Sequence, residues 1–314
     1  KGMATAKVQQ QVDQVKQQVK DQAQQKLQDT LKGKLPGAER RCALDVKIEE
    51  EADCGTYVRR LITYQSEPGG RVPAYLLIPK DALSGKKKVP GILCPHPTDN
   101  QIGHKVVVGL GGKANRQYAA ELAERGFVTL APAYPLLANY QPDLKALGWE
   151  SGTLKAVWDN VRGLDLLETL PFVNARAGFG TIGHSLGGHN SVYTGVFDAR
   201  VKVIVSSCGL DSYLDYYGGD PKNWQLERGW CQTRYMPKLA EYRGRLAEIP
   251  FDFHEMIGAL APRTLQRSGL LLATRFQLRE TAVFRRHGRL GGDQCPGMLV
   301  QGGDLGAARL PYVT

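Results

Sequence analysis

The sequence predicts an α/β fold: a mostly parallel sheet with helices on both faces, opened by antiparallel N-terminal strands. Three observations carry that expectation. Two-residue alternation dominates from Leu44 to Pro79, and strand-period and helix-period segments then take turns from Val89 to Ser206. Between two of those segments, a strand runs straight through a Gly-rich turn into a helix at Gly183–Gly188. Strands that alternate with helices are joined by crossovers, and crossovers give parallel strands covered on both faces.

The antiparallel opening reads as Leu44–Glu49, Tyr57–Tyr64 and Val72–Pro79, with Glu67-Pro68-Gly69-Gly70 as the turn between the last two. Val89–Cys94 is a short buried strand followed by a polar loop. Tyr118–Arg125 has helical periodicity, and Gly126 ends it before the strand Phe127–Ala131. Thr153–Leu170 is a long amphipathic helix with Val157, Val161, Leu164 and Leu167 on one face. The strand Phe179–Ile182, the helix Leu186–Val196 and the strand Val201–Ser206 complete the alternation. Residues 211–262, rich in Tyr, Trp, Arg and Pro, have no strand period and read as an insertion over the strand ends, where such folds place ligands.

Two flanking regions stand apart. Residues 1–34 carry ten Gln and a narrow stripe of Val8, Val12, Val15, Val19, Ala23, Leu27 and Leu31 at steps of three and four. They read as a Gln-rich helix, a solvated extension rather than part of the domain. Residues 264–314 contain no Lys, Ile or Asn, although the preceding domain uses all three. The net charge of +10 lies mostly in these ends: seven Lys against three Asp in 1–34, and seven Arg against three acids in 264–314. The central domain therefore lacks the basic footprint of a nucleic-acid binder. Free thiols are expected for the six scattered cysteines, with Cys42–Cys54 the one conceivable bridge. No apolar run is long enough to span a membrane, and the N-terminus shows no apolar leader. A cytoplasmic chain, or a secreted one already processed, is the expectation.

The chemistry concentrates at Gly183-His184-Ser185-Leu186-Gly187-Gly188. A serine lifted on a tight strand-to-helix turn needs small residues two before and two after it, so that the backbones can pass. Gly183 and Gly187 occupy those positions. The following helix offers the Leu186 N–H to an oxyanion. A second amide is expected from the loop Cys94–His104, where His96 stands early and Pro97 has no N–H, which leaves the Thr98 amide. His96, His104, His184 and His189 lack metal-site spacing, so neither metal nor cofactor is expected. His184 and His189 are expected to hydrogen-bond and pack around the turn.

In combination, Pro95-His-Pro-Thr98, Leu122–Pro132, Lys155–Arg162, Gly183–Asn190, Ser206–Gly209 and Pro250–Glu255 resemble a bacterial α/β-hydrolase group related to dienelactone hydrolases and acetyl xylan esterases. The resemblance covers about residues 35–263. It implies an α/β-hydrolase fold and a serine esterase that acts on a small ester, such as an acylated carbohydrate, through an acyl-enzyme on Ser185.

The resemblance stops after Ala261-Pro262-Arg263. The group carries an Asp turn and a later His turn there, and neither is present. A serine hydroxyl needs a histidine to take its proton and a carboxylate to orient that histidine. After Arg263 the one histidine is His287, beside Arg285, Arg286 and Arg289, with Glu280, Asp293 and Asp304 as the acids. The expectation is that residues from about Thr264 are a frame-shifted reading of the authentic C-terminus. Ala273-Thr274-Arg275 read one base earlier can encode Asp-Ser, the start of the missing acid turn. Two other functions stay open at this point: a hydrolase-fold protein impaired by the lack of a complete triad, and a prolyl-oligopeptidase-like serine peptidase.

Overall fold

The computed structural model describes residues 2–30 and 35–268. Eight strands form one sheet in the order β1-β2-β3-β5-β4-β6-β7-β8. β1 (Lys47–Asp53), β2 (Tyr57–Glu67) and β3 (Gly70–Pro79) are antiparallel, and β3 pairs antiparallel with β5 (Val128–Pro132). From β5 onward every neighbour is parallel: β4 (Gly91–Leu93), β6 (Phe179–His184), β7 (Val201–Ser207) and β8 (Thr264–Ser268). The helices are α1 (Gly2–Thr30), the single turn α2 (Lys80–Leu83), α3 (Tyr118–Glu124), α4 (Gly152–Thr169), α5 (Leu186–Phe197) and α6 (Phe253–Leu260). The α/β class, the parallel centre and the antiparallel opening are as the sequence patterns predict.

Three elements differ in detail. The first strand begins at Lys47 rather than Leu44, because Asp45 takes φ 41° and turns the chain, while the Leu44 carbonyl accepts from the Gln65 N–H at 2.7 Å. Residues 211–252 form a succession of short 3₁₀ turns, and α6 then bridges back to the sheet. Its capping box is complete: Asp252 accepts from the first turn and Glu255 accepts from the Asp252 N–H at 3.0 Å. Finally, Thr264–Ser268 is a regular strand in register with Val203–Ser207. The domain pattern therefore continues through residue 268, past the point at which the sequence stops resembling its group.

α1 packs beside α6 and α5, with Lys26 Nζ 2.9 Å from Glu255 Oε1. The valine stripe does not dock. Val8, Val12, Val15 and Val19 are 39–59% exposed, while Lys16, Lys20 and Lys26 are the half-buried positions. Aliphatic lysine stems cover the domain and the valines face water.

A charged cluster ties the antiparallel strands to the helical layer. Lys155 on α4 is fully buried, and its Nζ lies 2.5 Å from Asp159 Oδ1, 3.1 Å from Glu67 Oε1 and 3.1 Å from Ser66 Oγ. Trp149 Nε1 donates to Glu67 Oε1 at 2.8 Å, Arg40 Nη1 to Glu67 Oε2 at 2.8 Å, and Tyr140 OH to Asp159 Oδ2 at 3.0 Å. Each buried charge is thus paired and hydrogen-bonded, which offsets its desolvation. Removal of the ammonium leaves two buried carboxylates facing each other. Lys155→Ala is expected to cost about 3–5 kcal/mol in urea unfolding, whereas deletion of residues 1–34 shifts the melting temperature only slightly.

Candidate active site

β6 delivers the chain to Ser185 and α5 begins at the next residue, so Ser185 is the hinge of a strand-to-helix turn. Its backbone is in a region L-residues avoid, at φ 53° and ψ −119°. The Ser185 N–H donates to the Ser207 carbonyl at 2.7 Å, and the His189 N–H returns to the Ser185 carbonyl at 3.0 Å. These bonds hold the strained residue from both sides. Neighbouring backbones come too close for any side chain. A Cβ on Gly183 would lie 2.1 Å from the Gly187 carbonyl carbon, and one on Gly187 would lie 2.1 Å from the Pro95 carbonyl oxygen. A Cβ on Gly209 would lie 2.4 Å from the His189 nitrogen.

The same contact at Pro95 brings the loop after β4 against the start of α5. Thr98, exposed on that loop, shares a 3.1 Å hydrogen bond with the Tyr235 hydroxyl. Leu186 packs with Tyr134, Leu137, Ala156 and Tyr235, and Trp230 leans on the same group. Thr98 and Leu186 therefore meet at one aromatic wall. Tyr235 and Trp230 come from the irregular 211–252 segment, whose residues sequence periodicity cannot place. That segment is pinned to the start of α4: Gly152 N–H donates to Thr233 O at 3.0 Å, Thr153 N–H to Tyr235 O at 3.2 Å, and Ser151 Oγ to Tyr235 O at 2.8 Å.

The histidines hold the frame. His96 Nδ1 is 2.7 Å from the Pro97 carbonyl, and its Nε2 accepts from the Tyr134 N–H at 3.0 Å, which fixes a neutral ring with the proton on Nδ1. Burial depresses its pKa to about 4. His104 is buried 5.0 Å from the Tyr75 ring, and burial brings it to about 3. His189 stacks on Trp230 with ring centroids 4.2 Å apart and meets Tyr193 edge-on at 4.2 Å; burial holds it well below 6.5. His184 is half-buried with Nδ1 3.1 Å from Ser207 Oγ, and it is depressed to about 4, first by burial and then by Arg116 and Lys113. His254 is exposed on α6. Among the described residues, no histidine is hydrogen-bonded to the Ser185 hydroxyl, and no group of three His, Cys, Asp or Glu side chains is placed to hold a metal. His287, with Glu280, Asp293 and Asp304, lies outside the described residues. The described cysteines are free, Cys42 and Cys54 included. No helix among the described residues is long and apolar enough to cross a membrane.

Solved structures share this fold. A glucuronoyl esterase from Solibacter usitatus superposes with a TM-score of 0.53 at 20% identity, over 74% of this chain and 69% of its own. A putative acetyl xylan esterase from Bacteroides fragilis gives 0.54 at 18% identity, over 72% and 63%. A glucuronoyl esterase from Teredinibacter turnerae gives 0.51 at 17%, over 78% and 66%. The chain has the α/β-hydrolase fold. Residues 148–270, from just before α4 to just past β8, also match the family model described as glucuronyl esterase, fungi. No curated protein sequence matches. Both kinds of likeness are to esterases, in agreement with the esterase resemblance of the sequence and not with the peptidase alternative.

Two consequences of this geometry are measurable. Gly187→Ala drives a methyl into the Pro95 carbonyl, so labelling of Ser185 by an active-site probe should fall at least tenfold while far-ultraviolet circular dichroism is retained. In addition, His96, His104 and His184 are harder to protonate folded than unfolded. Below about pH 6.5 the unfolded chain binds protons that the native chain refuses, so unfolding free energy should fall from pH 6.5 towards 4 and be flat above 7.

Proposed function

We propose that this hydrolase cleaves a carboxylic ester of a carbohydrate through an acyl-enzyme on Ser185. The observation that carries the reading is the held, left-handed Ser185 between β6 and α5. The first N–H groups of a helix have no intrahelical acceptor, so the Leu186 amide points its proton at the space above the serine. The Thr98 amide, brought alongside by the Pro95–Gly187 approach, is the second donor. In the reaction, Ser185 Oγ attacks the ester carbonyl as its proton passes to a base, and the oxyanion is held by the two amides. The alcohol then leaves with that proton, and water releases the acid by the reverse path. The carbohydrate assignment draws on the esterases with which the chain shares its fold and its 148–270 match. The half-buried Trp230 beside Leu186 gives an aromatic face for a sugar ring.

The base is the missing part. His96 has both nitrogens committed, His184 is bonded to Ser207 between two cations, and His104 and His189 are buried away from water. The acid and base of this fold follow the nucleophile in chain order. We therefore propose that the reading frame shifts after β8, at about residue 270, and that the authentic C-terminus supplies both turns. The family match that ends at residue 270 and the pairing of Thr264–Ser268 with β7 support a start later than Thr264. Resequencing the gene across codons 255–314 checks this, together with hydrolysis of p-nitrophenyl acetate by the chain as written and by its frame-restored counterpart. Restored protein should turn over the ester at least a hundredfold faster, and Ser185→Ala should abolish that activity. A gene that reads cleanly to Thr314, in a protein as active as any restored one, rejects the shift. Activity that survives Ser185→Ala rejects the nucleophile.

A further inference from the structure

Three cations border the Ser185 turn, and none is paired with a carboxylate among the described residues. Arg234 is the most firmly built of them. Its backbone lies in the segment clamped to α4, with Tyr134 OH donating to its carbonyl at 2.8 Å. The same carbonyl would lie 2.2 Å from a Cβ on Gly152, so the two backbones are in close contact. Its guanidinium carbon sits 5.1 Å from the centre of the Tyr235 ring, and Nη1 donates to Asn100 Oδ1 at 2.7 Å. Its buried Nε has no partner among the described residues. A guanidinium held by a ring and a neutral amide keeps its full charge and part of its donor fork for something else. The ring that supports it is the one bonded to Thr98, so the charge stands beside the proposed oxyanion site.

Arg116 and Lys113 lie on the other side, in the loop before α3. They are close enough to His184 to oppose its protonation, and Arg116 Nη1 reaches no acceptor nearer than the Asn115 carbonyl at 3.5 Å. The carboxylate nearest in sequence to Asn100, Asp99, is occupied by the Gln101 and Ile102 N–H groups at 2.9 and 2.7 Å. Each of these bonds favours the ionised Asp99, but neither neutralises Arg234.

We propose that Arg234 is a specificity residue that binds a free carboxylate, and that the ester taken at Ser185 belongs to an acidic oligosaccharide with uncharged ester and free carboxylate side by side. This rests on the ester-hydrolase reading of the site. A planar guanidinium matches a carboxylate with two parallel hydrogen bonds, and such pairs carry specificity as well as affinity. Arg116 and Lys113 add attraction at longer range, which steers an acidic chain towards the turn. A neutral xylo- or glucooligosaccharide offers these cations nothing.

The test is binding rather than turnover, so it is independent of the missing base. Isothermal titration of the full chain with trigalacturonate and with neutral maltotriose should show at least about tenfold tighter binding of the uronate. A hydrogen-bonded charge is worth about 1.5–3 kcal/mol, and 1.4 kcal/mol is tenfold. Arg234→Gln should remove that preference and leave maltotriose binding unchanged, while Arg234→Lys keeps part of it. Fluorophosphonate labelling of Ser185 in the same preparation reports on the esterase reading, so its failure and failure of this one are seen separately. Should Arg234→Gln melt early, Arg116→Gln, on an exposed loop, is expected to lower the uronate affinity a few-fold. Equal affinity for the two trisaccharides, or a preference untouched by Arg234→Gln and Arg234→Lys alike, overturns the proposal.

Discussion

The close approach of three backbones at Ser185 is the constraint on which the site depends. β6, the start of α5 and the loop after β4 pass within distances that exclude any Cβ at Gly183 and Gly187. That crowding forces Ser185 into a left-handed conformation, and the bonds to Ser207 and His189 keep it there. Strain of this kind costs about 1–3 kcal/mol and persists only where the surroundings over-determine it. Here the surroundings are β6 and its parallel neighbour β7 in the sheet. The serine is thereby held, half-buried, at the junction of β6 and α5.

The rest of the molecule serves to hold that junction and wall it. Lys155 and its carboxylate partners bind α4 to the turn between β2 and β3, and the N-terminus of α4 grips Thr233–Tyr235. The wall of Tyr134, Tyr235 and Trp230 is thereby fixed against Leu186, although its segment has almost no regular structure of its own. His96 links the loop after β4 to Tyr134 by its two nitrogens. These histidines act as neutral struts, which is why burial rather than a carboxylate sets their protonation.

Much of this was legible in the residues. Alternation placed β2 and β3 and the Gly183–Gly188 spacing placed the turn, because each rests on a local rule of backbone or period. What periodicity could not reach was long-range. Nothing in the 211–252 composition says that Tyr235 would reach Thr98 or that Trp230 would cover His189, since 3₁₀ turns have no sustained pattern. The valine stripe of α1 stays exposed, as expected of a solvated extension, although the helix itself packs beside α5 and α6. A helical period shows that one face is apolar, not that the domain covers it, and the lysine stems took that place. At the C-terminal side the sequence lost its group at Arg263, yet Thr264–Ser268 still fits beside β7, because a parallel strand between covered layers asks only for extended backbone and a few apolar contacts.

The central claim is that Ser185 is a formed nucleophile with its oxyanion donors in place, whether or not a base is present. An oxyanion hole retains a part of catalysis when the other groups are lost. The direct measurement is peptide mapping by mass spectrometry after reaction of the native chain with a fluorophosphonate. The account predicts slow modification at Ser185 alone, lost when the protein is unfolded first. Modification of another residue, or of Ser185 no faster in the native chain than in the unfolded one, would contradict it.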